Sequence, residues 1–432
     1  MEMQLNMKSE EASTETQMLI PDGYKLTELG EIPEDWQCVR LGEIGQCIIG
    51  LTYSPRNVSD SGVLVLRSSN VQNGKLTYQD NVFVNMELPE RVIVKKGDIL
   101  ICVRNGSRQL IGKCALIDQK AEGLAFGAFM SIYRTSAHDY IFYQFQSDLI
   151  QNQINETMGA TINQITNKDL SGFKIPIPIC VKEQKAIANV LSDTDALLTG
   201  LEQLIAKKQA IKTATMQQLL TGRTRLTQFA KEPDGAFKGY KSSELGNIPK
   251  DWELEKIGSL LSITTGGKNT QDKIADGSYP FFVRSQTVEK INSFSFDCEG
   301  VLTAGDGVGT GKIFHYINGK FDFHQRVYLM FNFSNKLDGY FFYIFFSNNF
   351  YDRIMSMTAK SSVDSVRREM IADMTMLLPP KAEQIAIATI LADMDAELEV
   401  LEQKLAKFRD IKQGMMQQLL TGRIRLPLDQ HP

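Results

Sequence analysis

Residues 214–223 read ATMQQLLTGR, and residues 414–423 read GMMQQLLTGR. The shared phrase is the end of a longer repeat, because residues 183–226 and 383–426 agree at 27 of 44 positions when they are aligned with a fixed shift of 200. Self-similarity of this kind indicates two copies of one structural unit, and it has to be recognised before single motifs are interpreted.

Two further pairs of phrases extend the repeat toward the N-terminus of each half. GYKLTELGEIPEDW (23–36) matches GYKSSELGNIPKDW (239–252), and each phrase ends in one of the chain's two tryptophans. DYIFYQFQS (139–147) matches GYFFYIFFS (339–347), and its aromatic spacing favours buried helix faces over a base-stacking platform. Between these phrases the halves have diverged almost beyond alignment. The sequence therefore predicts one frame built twice, with a different insert in each copy.

The most regular part of the repeat predicts two long helices. Leucine and isoleucine recur at seven-residue multiples among Glu, Gln and Lys, a pattern typical of helices that supercoil around a partner. Lys212 and Lys412 interrupt this apolar seam at matching places, and a Thr-Gly pair after each helix is a natural stop. At 1.5 Å per residue, about 40 residues span roughly 60 Å. We expect the two helices to pair with each other in antiparallel fashion, with the seam formed by Leu191, Leu198, Leu201, Ile205, Leu219, Leu391, Leu398, Leu401, Leu405 and Leu419.

The inserts alternate short apolar runs, such as RVIVKKGDILICV (91–103), with glycine-bearing turns, which indicates mostly β domains. The predicted fold class is therefore α+β: two mostly β domains separated by a pair of long antiparallel coiled-coil helices, with a pseudo-two-fold internal duplication.

Composition excludes several classes of protein. A hydrophobic content of 43% and a charged content of 23% are those of a soluble globular chain, and there is no apolar run long enough for a membrane span. The first 20 residues lack the basic start and apolar core of a secretory signal, so we expect a cytoplasmic protein. The six cysteines form no CxxC pair and only four histidines are present, so we expect reduced thiols and no metal site.

No catalytic motif is convincing. GDGVGTGKI (305–313) fails the phosphate-loop pattern, because an aspartate stands where the first glycine should be and isoleucine replaces Ser/Thr. There is no HExxH or GxSxG. The chain is predicted to be non-catalytic.

The openers LGEIPEDW and LGNIPKDW, the helices of the form EQ…QQLLTGR, and the phrases VLRSSNV (65–71) and FVRSQTV (282–288) together resemble the specificity subunit of type I restriction-modification enzymes. The resemblance implies a protein that recognises double-stranded DNA without modifying it, each variable domain reading one half of a bipartite asymmetric site. It also implies that the helices set the spacing and dock two methyltransferase (modification) subunits, which restriction/translocase subunits then join. S-adenosylmethionine and ATP would belong to those partners, and this chain would carry no cofactor.

On this reading the chain divides into seven predicted segments. They are a flexible leader (1–22), target-recognition domain 1 (23–182), spacer helix 1 (183–222), a linker (223–238), target-recognition domain 2 (239–382), spacer helix 2 (383–422) and a C-terminal tail (423–432).

Base readout needs Arg, Lys, Asn, Gln, Ser or Thr on exposed loops. The candidates are Arg67, Ser68, Asn70, Arg104, Asn105, Arg108, Asn163 and Gln164 in the first domain, and Lys268, Asn269, Arg284, Gln286, Lys312, His324, Gln325, Arg326 and Arg367 in the second. Residues 40–174 hold 14 Lys/Arg against 12 Asp/Glu, and residues 253–373 hold 13 against 14. Phosphate neutralisation by this chain alone should therefore be modest, and the partners should supply much of the grip.

Three alternatives stay open at this point. The chain could be a coiled-coil scaffold whose inserts bind proteins, which the near-neutral inserts favour slightly. It could be the recognition subunit of a methylation system that lacks a nuclease. An enzyme acting alone is the least favoured alternative, because no catalytic constellation is present.

Overall fold

The computed structural model describes residues 20–159, 162–357 and 365–428. Most of the predicted leader (1–22) and the last four residues of the predicted tail (423–432) lie outside these ranges. The chain forms two compact units. Unit 1 comprises the described residues up to Leu201 together with those from Lys404 onward, and unit 2 comprises Glu202–Gln403.

Unit 1 combines fourteen described strands with short helices and parts of two long ones. Its strands are β1 (Tyr24–Thr27), β2 (Gly30–Pro33), β3 (Trp36–Arg40), β4 (Gln46–Ile49), β5 (Val58–Ser59), β6 (Val63–Leu66), β7 (Val71–Gln72), β8 (Lys75–Leu76), β9 (Phe83–Val84), β10 (Ile99–Cys102), β11 (Cys114–Leu116), β12 (Ala125–Phe126), β13 (Met130–Arg134) and β14 (Lys174–Pro178). Its helices are α1 (Leu41–Ile44), α2 (His138–Gln146), α3 (Asp148–Thr157), α4 (Asn167–Gly172), the first half of α5 (Val181–Leu220) and the C-terminal part of α9 (Lys381–Leu419).

Unit 2 holds fewer and longer strands. They are β15 (Tyr240–Ser243), β16 (Gly246–Pro249), β17 (Glu253–Lys256), β18 (Ser262–Thr265), β19 (Tyr279–Phe282), β20 (Glu289–Ile291), β21 (Phe296–Ala304), β22 (Phe314–Phe323), β23 (Val327–Phe331) and β24 (Thr375–Leu378). Its helices are the second half of α5 (Val181–Leu220), α6 (Ile257–Leu260), α7 (Gly339–Ser356), α8 (Arg368–Ala372) and the first part of α9 (Lys381–Leu419).

The frame of each unit is the same. Each frame starts with a hairpin whose turn has two residues, β1–β2 in unit 1 and β15–β16 in unit 2. The next strand begins at or just after the tryptophan. It pairs antiparallel with the strand that precedes the long helix, as β3–β14 in unit 1 and β17–β24 in unit 2. Trp36 and Trp252 are fully buried. The aromatic stretches behave as the sequence predicts, because Tyr140, Phe142 and Phe145 of α2 are buried in one core, and of their α7 counterparts Phe342 and Phe345 are buried in the other while Tyr340 packs half-buried against it.

The inserts differ in sheet organisation. Unit 1 has two four-stranded sheets, ordered β11-β10-β13-β4 and β12-β6-β9-β5, whereas unit 2 has one six-stranded sheet, ordered β18-β23-β21-β22-β19-β20. Both contain one short parallel pairing, β6 with β12 and β19 with β22, which brings distant parts of the chain side by side.

The long helices pair antiparallel inside each unit. Within unit 1, moving forward from Glu183 to Asp195 along α5 moves the partner back from Arg425 to Lys412. Of the predicted seam residues, Leu191, Leu198, Leu201, Leu219, Leu391, Leu398, Leu405 and Leu419 are buried, while Ile205 and Leu401 are half-buried.

The helix stops are glycines for two physical reasons. Gly222 and Gly422 have φ of +67° and +74°, the left-handed region that glycine enters without strain. A Cβ on Gly222 would also lie 2.6 Å from the ring of Pro249, and one on Gly422 would lie 2.5 Å from that of Pro33. The Thr-Gly stop therefore also lets the hairpin of the frame pack against the helix end.

Candidate nucleic-acid interface

The polar candidates of the first domain come together on one group of loops, which we call rim 1 (residues 66–68, 104–108, 127–129 and 163–164). The Asn105 amide donates to Ser68 Oγ (3.0 Å), and its backbone N–H donates to the carbonyl of Asn163 (3.2 Å). The Asn163 amide returns a hydrogen bond to the carbonyl of Gly106 (2.9 Å). Segments up to about 100 residues apart in sequence thus form one polar surface.

Three of the predicted residues at or near rim 1 already form hydrogen bonds or an ion pair with other residues of unit 1. Asn70 is fully buried, and its amide donates to the carbonyls of Thr77 (3.0 Å) and Asp80 (3.2 Å), so it supports the loop. Arg67 forms an ion pair with Asp80 (2.9 Å). Arg108 is exposed, and one of its Nη groups donates to the carbonyl of Asn155 (2.9 Å).

Sequence reasoning missed an aromatic residue on this rim. Phe129 is 57% exposed, and the guanidinium carbon of Arg104 lies 5.1 Å from the centre of its ring. Phe126, three positions earlier, is buried. No periodicity distinguishes the two phenylalanines, because they lie on either side of the end of a two-residue strand.

The candidates of the second domain form a corresponding surface, rim 2 (residues 268–269, 284–286, 305–312, 324–326 and 365–367). Gln325 donates its backbone N–H to the carbonyl of Lys268 (2.8 Å) and its side-chain amide to Asn269 Oδ1 (2.6 Å). The N–H of Val366 bonds to the carbonyl of Gly305 (2.7 Å), which joins the glycine-rich loop to the segment before α8.

A carboxylate that sequence reasoning did not single out organises the charges of rim 2. Asp306 Oδ1 accepts from Arg284 Nη1 (2.8 Å), and its Oδ2 lies 3.7 Å from Arg326 Nε. His324 is buried, and its pKa is lowered mainly by this burial and to a smaller extent by the positive charge of Arg284. Its Nδ1 accepts the backbone N–H of Arg326 (2.9 Å), so the ring is a neutral support for the loop.

The remaining candidates of rim 2 vary in exposure. Gln286 and Arg367 are exposed, and Lys312 is exposed with its Nζ 5.4 Å from the ring centre of Tyr351. Lys268 is half-buried, with its Nζ 4.0 Å from the buried Asp322 carboxylate.

The two rims occupy the same place in the fold, as shown by matching backbone hydrogen bonds. Gly127 N–H bonds to Leu66 O (3.0 Å) in unit 1, and His324 N–H bonds to Phe282 O (2.9 Å) in unit 2. Val103 N–H bonds to Phe129 O (3.0 Å) in unit 1, and Gly305 N–H bonds to Arg326 O (2.7 Å) in unit 2. The duplicated frame therefore presents two chemically different surfaces at equivalent positions.

Each frame contains a buried carboxylate at the start of its long helix, which accepts hydrogen bonds from residues that follow the end of the other long helix. Glu383 accepts from Arg225 Nε (3.0 Å) and from the indole N–H of Trp252 (3.0 Å). Glu183 accepts from Arg425 in the same way, but Trp36 Nε1 has no hydrogen-bond partner among the described residues.

No group of three or more His, Cys, Asp or Glu side chains suited to a metal ion occurs in the described ranges. The six cysteines, all of them described, are free thiols. Within the same ranges no helix has the length and apolar character needed to cross a membrane.

These features define a class of protein: an internally duplicated α+β chain in which one frame, built twice, carries two different polar rims. The chain belongs to the family of type I restriction modification DNA specificity domains, whose model matches residues 33–213 and 249–408.

Curated relatives agree with this assignment over most of their length. The chain is 26% identical to a putative type I restriction enzyme MjaX specificity subunit of Methanocaldococcus jannaschii, covering 94% of this chain and 97% of that protein. It is 26% identical to the type I restriction enzyme StySPI specificity subunit of Salmonella potsdam, covering 91% of this chain and 90% of the relative.

Solved structures establish the same fold. The crystal structure of a type I restriction-modification system S subunit from M. genitalium matches with a TM-score of 0.60 at 15% identity, over 92% of this chain and 98% of that one. A second chain, from a study of assembly and conformational transition of the type I R-M system, matches with a TM-score of 0.53 at 15% identity, over 91% of this chain and 99% of that one.

Proposed function

We propose that this chain is the non-catalytic DNA-specificity subunit of a type I restriction-modification complex in the cytoplasm, and that rim 1 and rim 2 each read one half of a bipartite, asymmetric DNA site. One observation carries the proposal. Matching backbone hydrogen bonds hold rim 1 and rim 2 at equivalent positions of the repeated frame, although the side chains of the two rims differ. Identical rims would suit a palindrome, whereas different rims suit a site with unlike halves.

Both rims carry the residue types that contact base edges. Arg, Gln, Asn and Ser side chains donate to and accept from the major-groove edges of base pairs, and arginine binds guanine through two parallel hydrogen bonds. A scaffold that binds proteins would more commonly present an apolar patch ringed by polar groups. The described exposed groups of rim 1 and rim 2 are mostly polar or cationic, which favours nucleic acid.

The partners follow from the repeated frame. Because the hairpin, the tryptophan strand and the Thr-Gly helix end occur twice with matching strand pairings, two copies of one methyltransferase subunit could dock on this chain, and restriction/translocase subunits would join through them. S-adenosylmethionine and ATP would be bound by those subunits. The near-neutral charge of both inserts further suggests that the partners provide much of the contact with phosphate.

The test is co-expression of the chain with an adenine methyltransferase subunit in a host that lacks other adenine methylation, followed by genome-wide mapping of modified adenines. We expect one bipartite motif with unlike halves and a fixed gap, and co-purification of the two proteins. DNA binding by the lone chain should be weak, and binding by the complex tight with a steep dependence on salt. Methylation without a motif, or binding that is equal with and without the partner, would contradict the proposal.

A further inference from the structure

Arg104 and Gln164 lie directly opposite each other on rim 1. They form an isolated antiparallel bridge, flanked by hydrogen bonds from Asn105 N–H to Asn163 O (3.2 Å) and from Ile165 N–H to Val103 O (2.9 Å). This pattern makes them a non-hydrogen-bonded pair, in which the Cα atoms are about 4.5 Å apart and the side chains share one face of the sheet. Both side chains are exposed.

Arg104 has hydrogen-bond donors that are free for a ligand. Arg67 pairs with Asp80 and Arg108 donates to Asn155 O, but no carboxylate among the described residues pairs with Arg104. Its guanidinium instead stacks over Phe129, an arrangement that leaves the edge of the guanidinium plane open.

The backbone holds this stack in place. The N–H groups of Val103 and Arg104 both donate to the carbonyl of Phe129, at 3.0 and 3.1 Å, so the ring and the arginine are fixed to the same point. A fixed aromatic support lowers the conformational entropy that arginine loses when it binds.

Resting on the proposed function, we propose that Arg104 and Gln164 read a guanine and an adenine in adjacent base pairs of one half-site, with Phe129 as a positioning residue for Arg104. The arginine donates two hydrogen bonds to O6 and N7 of guanine, and the glutamine donates to N7 and accepts from N6 of adenine. The separation of about 4.5 Å between the two Cα atoms is close to the ~3.4 Å rise of one base pair, so the two contacts fit neighbouring steps.

Unit 2 does not repeat this reader. The equivalent bridge in rim 2 joins Asp306 to Ser365, and Arg326 takes the place of Phe129. The same position thus carries a cation supported by a ring in unit 1 and an anion held by arginines in unit 2. The guanine–adenine step is therefore assigned to one half-site alone.

The experiment uses the complex of the full chain with its methyltransferase subunit, once its methylated motif is known. We expect one half of the motif to contain adjacent G and A, on either strand. Arg104→Ala should relax the G·C position and Gln164→Ala the A·T position, each by roughly 5- to 150-fold in discrimination, which corresponds to 1–3 kcal/mol. The other half-site should be unchanged. Arg91→Ala is the matched control, because it removes an exposed arginine of the same unit that lies outside rim 1 and already donates to the carbonyl of Ile49 (2.6 Å).

A chemical substitution on the DNA separates base reading from a general loss of folding. Replacing the guanine with 7-deazaguanine should weaken binding by the wild-type complex and should have no further effect on the Arg104→Ala complex. Phe129→Leu should reduce discrimination at the guanine alone, and Phe129→Tyr, which keeps the ring, should restore it. A motif without adjacent G and A, or equal sensitivity of both complexes to 7-deazaguanine, would overturn this inference. Neither result would affect the proposed function, which fails if no sequence-specific methylation is found.

Discussion

Lys412 Nζ lies 2.6 Å from Asp195 Oδ1. The residues at the corresponding positions of the repeat, Lys212 and Asp395, form the same kind of ion pair. The first pair is the more buried: its side chains are 15% and 28% exposed, against 19% and 52% for the second. Asp195 also accepts from the Tyr143 hydroxyl (3.0 Å), and Lys412 Nζ lies 5.5 Å from the Tyr143 ring centre. The lysines that interrupt the apolar seam are thus paired across the helices.

This difference predicts unequal coupling energies. In double-mutant cycles with Asn and Met as replacements, the Asp195–Lys412 pair should contribute about 1–2 kcal/mol to the free energy of unfolding, because burial strengthens the interaction. The Asp395–Lys212 pair should contribute about 0.2–1 kcal/mol, as exposed pairs do. Urea unfolding of the four single and two double variants measures both. Equal coupling at the two sites would contradict the role assigned to burial.

The buried carboxylates of the frame should also differ. Arg225, which bonds to Glu383, is 5% exposed, whereas Arg425, which bonds to Glu183, is 38% exposed. Glu383→Ala would remove one of the two carboxylates that accept from the buried Arg225 and the only acceptor of the Trp252 indole, and should cost about 3–5 kcal/mol. Glu183→Ala should cost less than half as much, because Arg425 can reach water and Trp36 loses no hydrogen bond. Thermal unfolding of the two variants side by side checks the order.

Acid should destabilise unit 2 through Asp251. Burial alone would raise the pKa of this carboxyl, but hydrogen bonds from Arg225 and Lys238 outweigh burial and lower it below the usual value. A lowered pKa in the folded state means that the stabilisation is complete above the unfolded value of about 4 and is lost as pH falls through the folded value. Asp251→Asn should therefore be less stable at pH 7 and show a flatter loss of stability below pH 4 than the wild type. Asp297→Asn, an exposed position, is the control and should keep the wild-type slope.

Asp306 is predicted to restrain non-specific DNA binding by rim 2. Asp306→Asn removes the carboxylate that Arg284 and Arg326 face, so two guanidinium groups become available to phosphate. We expect tighter binding to DNA without the motif and a plot of log K against log salt that is steeper by about 0.9 for each added phosphate contact. Fluorescence anisotropy over a salt series measures this, again with Asp297→Asn as control. Unchanged non-specific affinity would show that the arginines do not reach DNA.

The frame could be predicted from the sequence because its signals are local or duplicated. The heptad pattern, the Thr-Gly stops and the two tryptophan phrases each act within a few turns of helix or one hairpin, and the structure confirms the helices and the burial of most predicted seam residues. The α+β class and the two different inserts are confirmed as well.

The rims could be predicted only by residue type. Arg104 and Gln164 are 60 positions apart and meet through one isolated bridge, which no local pattern encodes. Asn70 and His324 are of the same polar types as the other candidates, yet Asn70 ends a short 3-10 helix and tertiary packing buries both side chains. Phe129 was missed because exposure cannot be read from a phenylalanine in a short irregular segment. Which of the candidates contact bases stays a prediction.

The helix pair offers a last prediction, on the spacing of the DNA site. Each long helix contributes one half to unit 1 and the other to unit 2, with the division after Leu201 and after Gln403. Inserting seven residues at both points keeps the seven-residue seam in phase and lengthens each helix by about 10 Å, close to three base-pair steps of ~3.4 Å. We expect the methylated motif to keep both half-sites and to gain about three base pairs in its gap. Insertion into one helix alone is the control, and it should abolish methylation because the ion pairs of the seam lose register. If the double insertion left the gap unchanged, the helices would not determine the spacing between the half-sites.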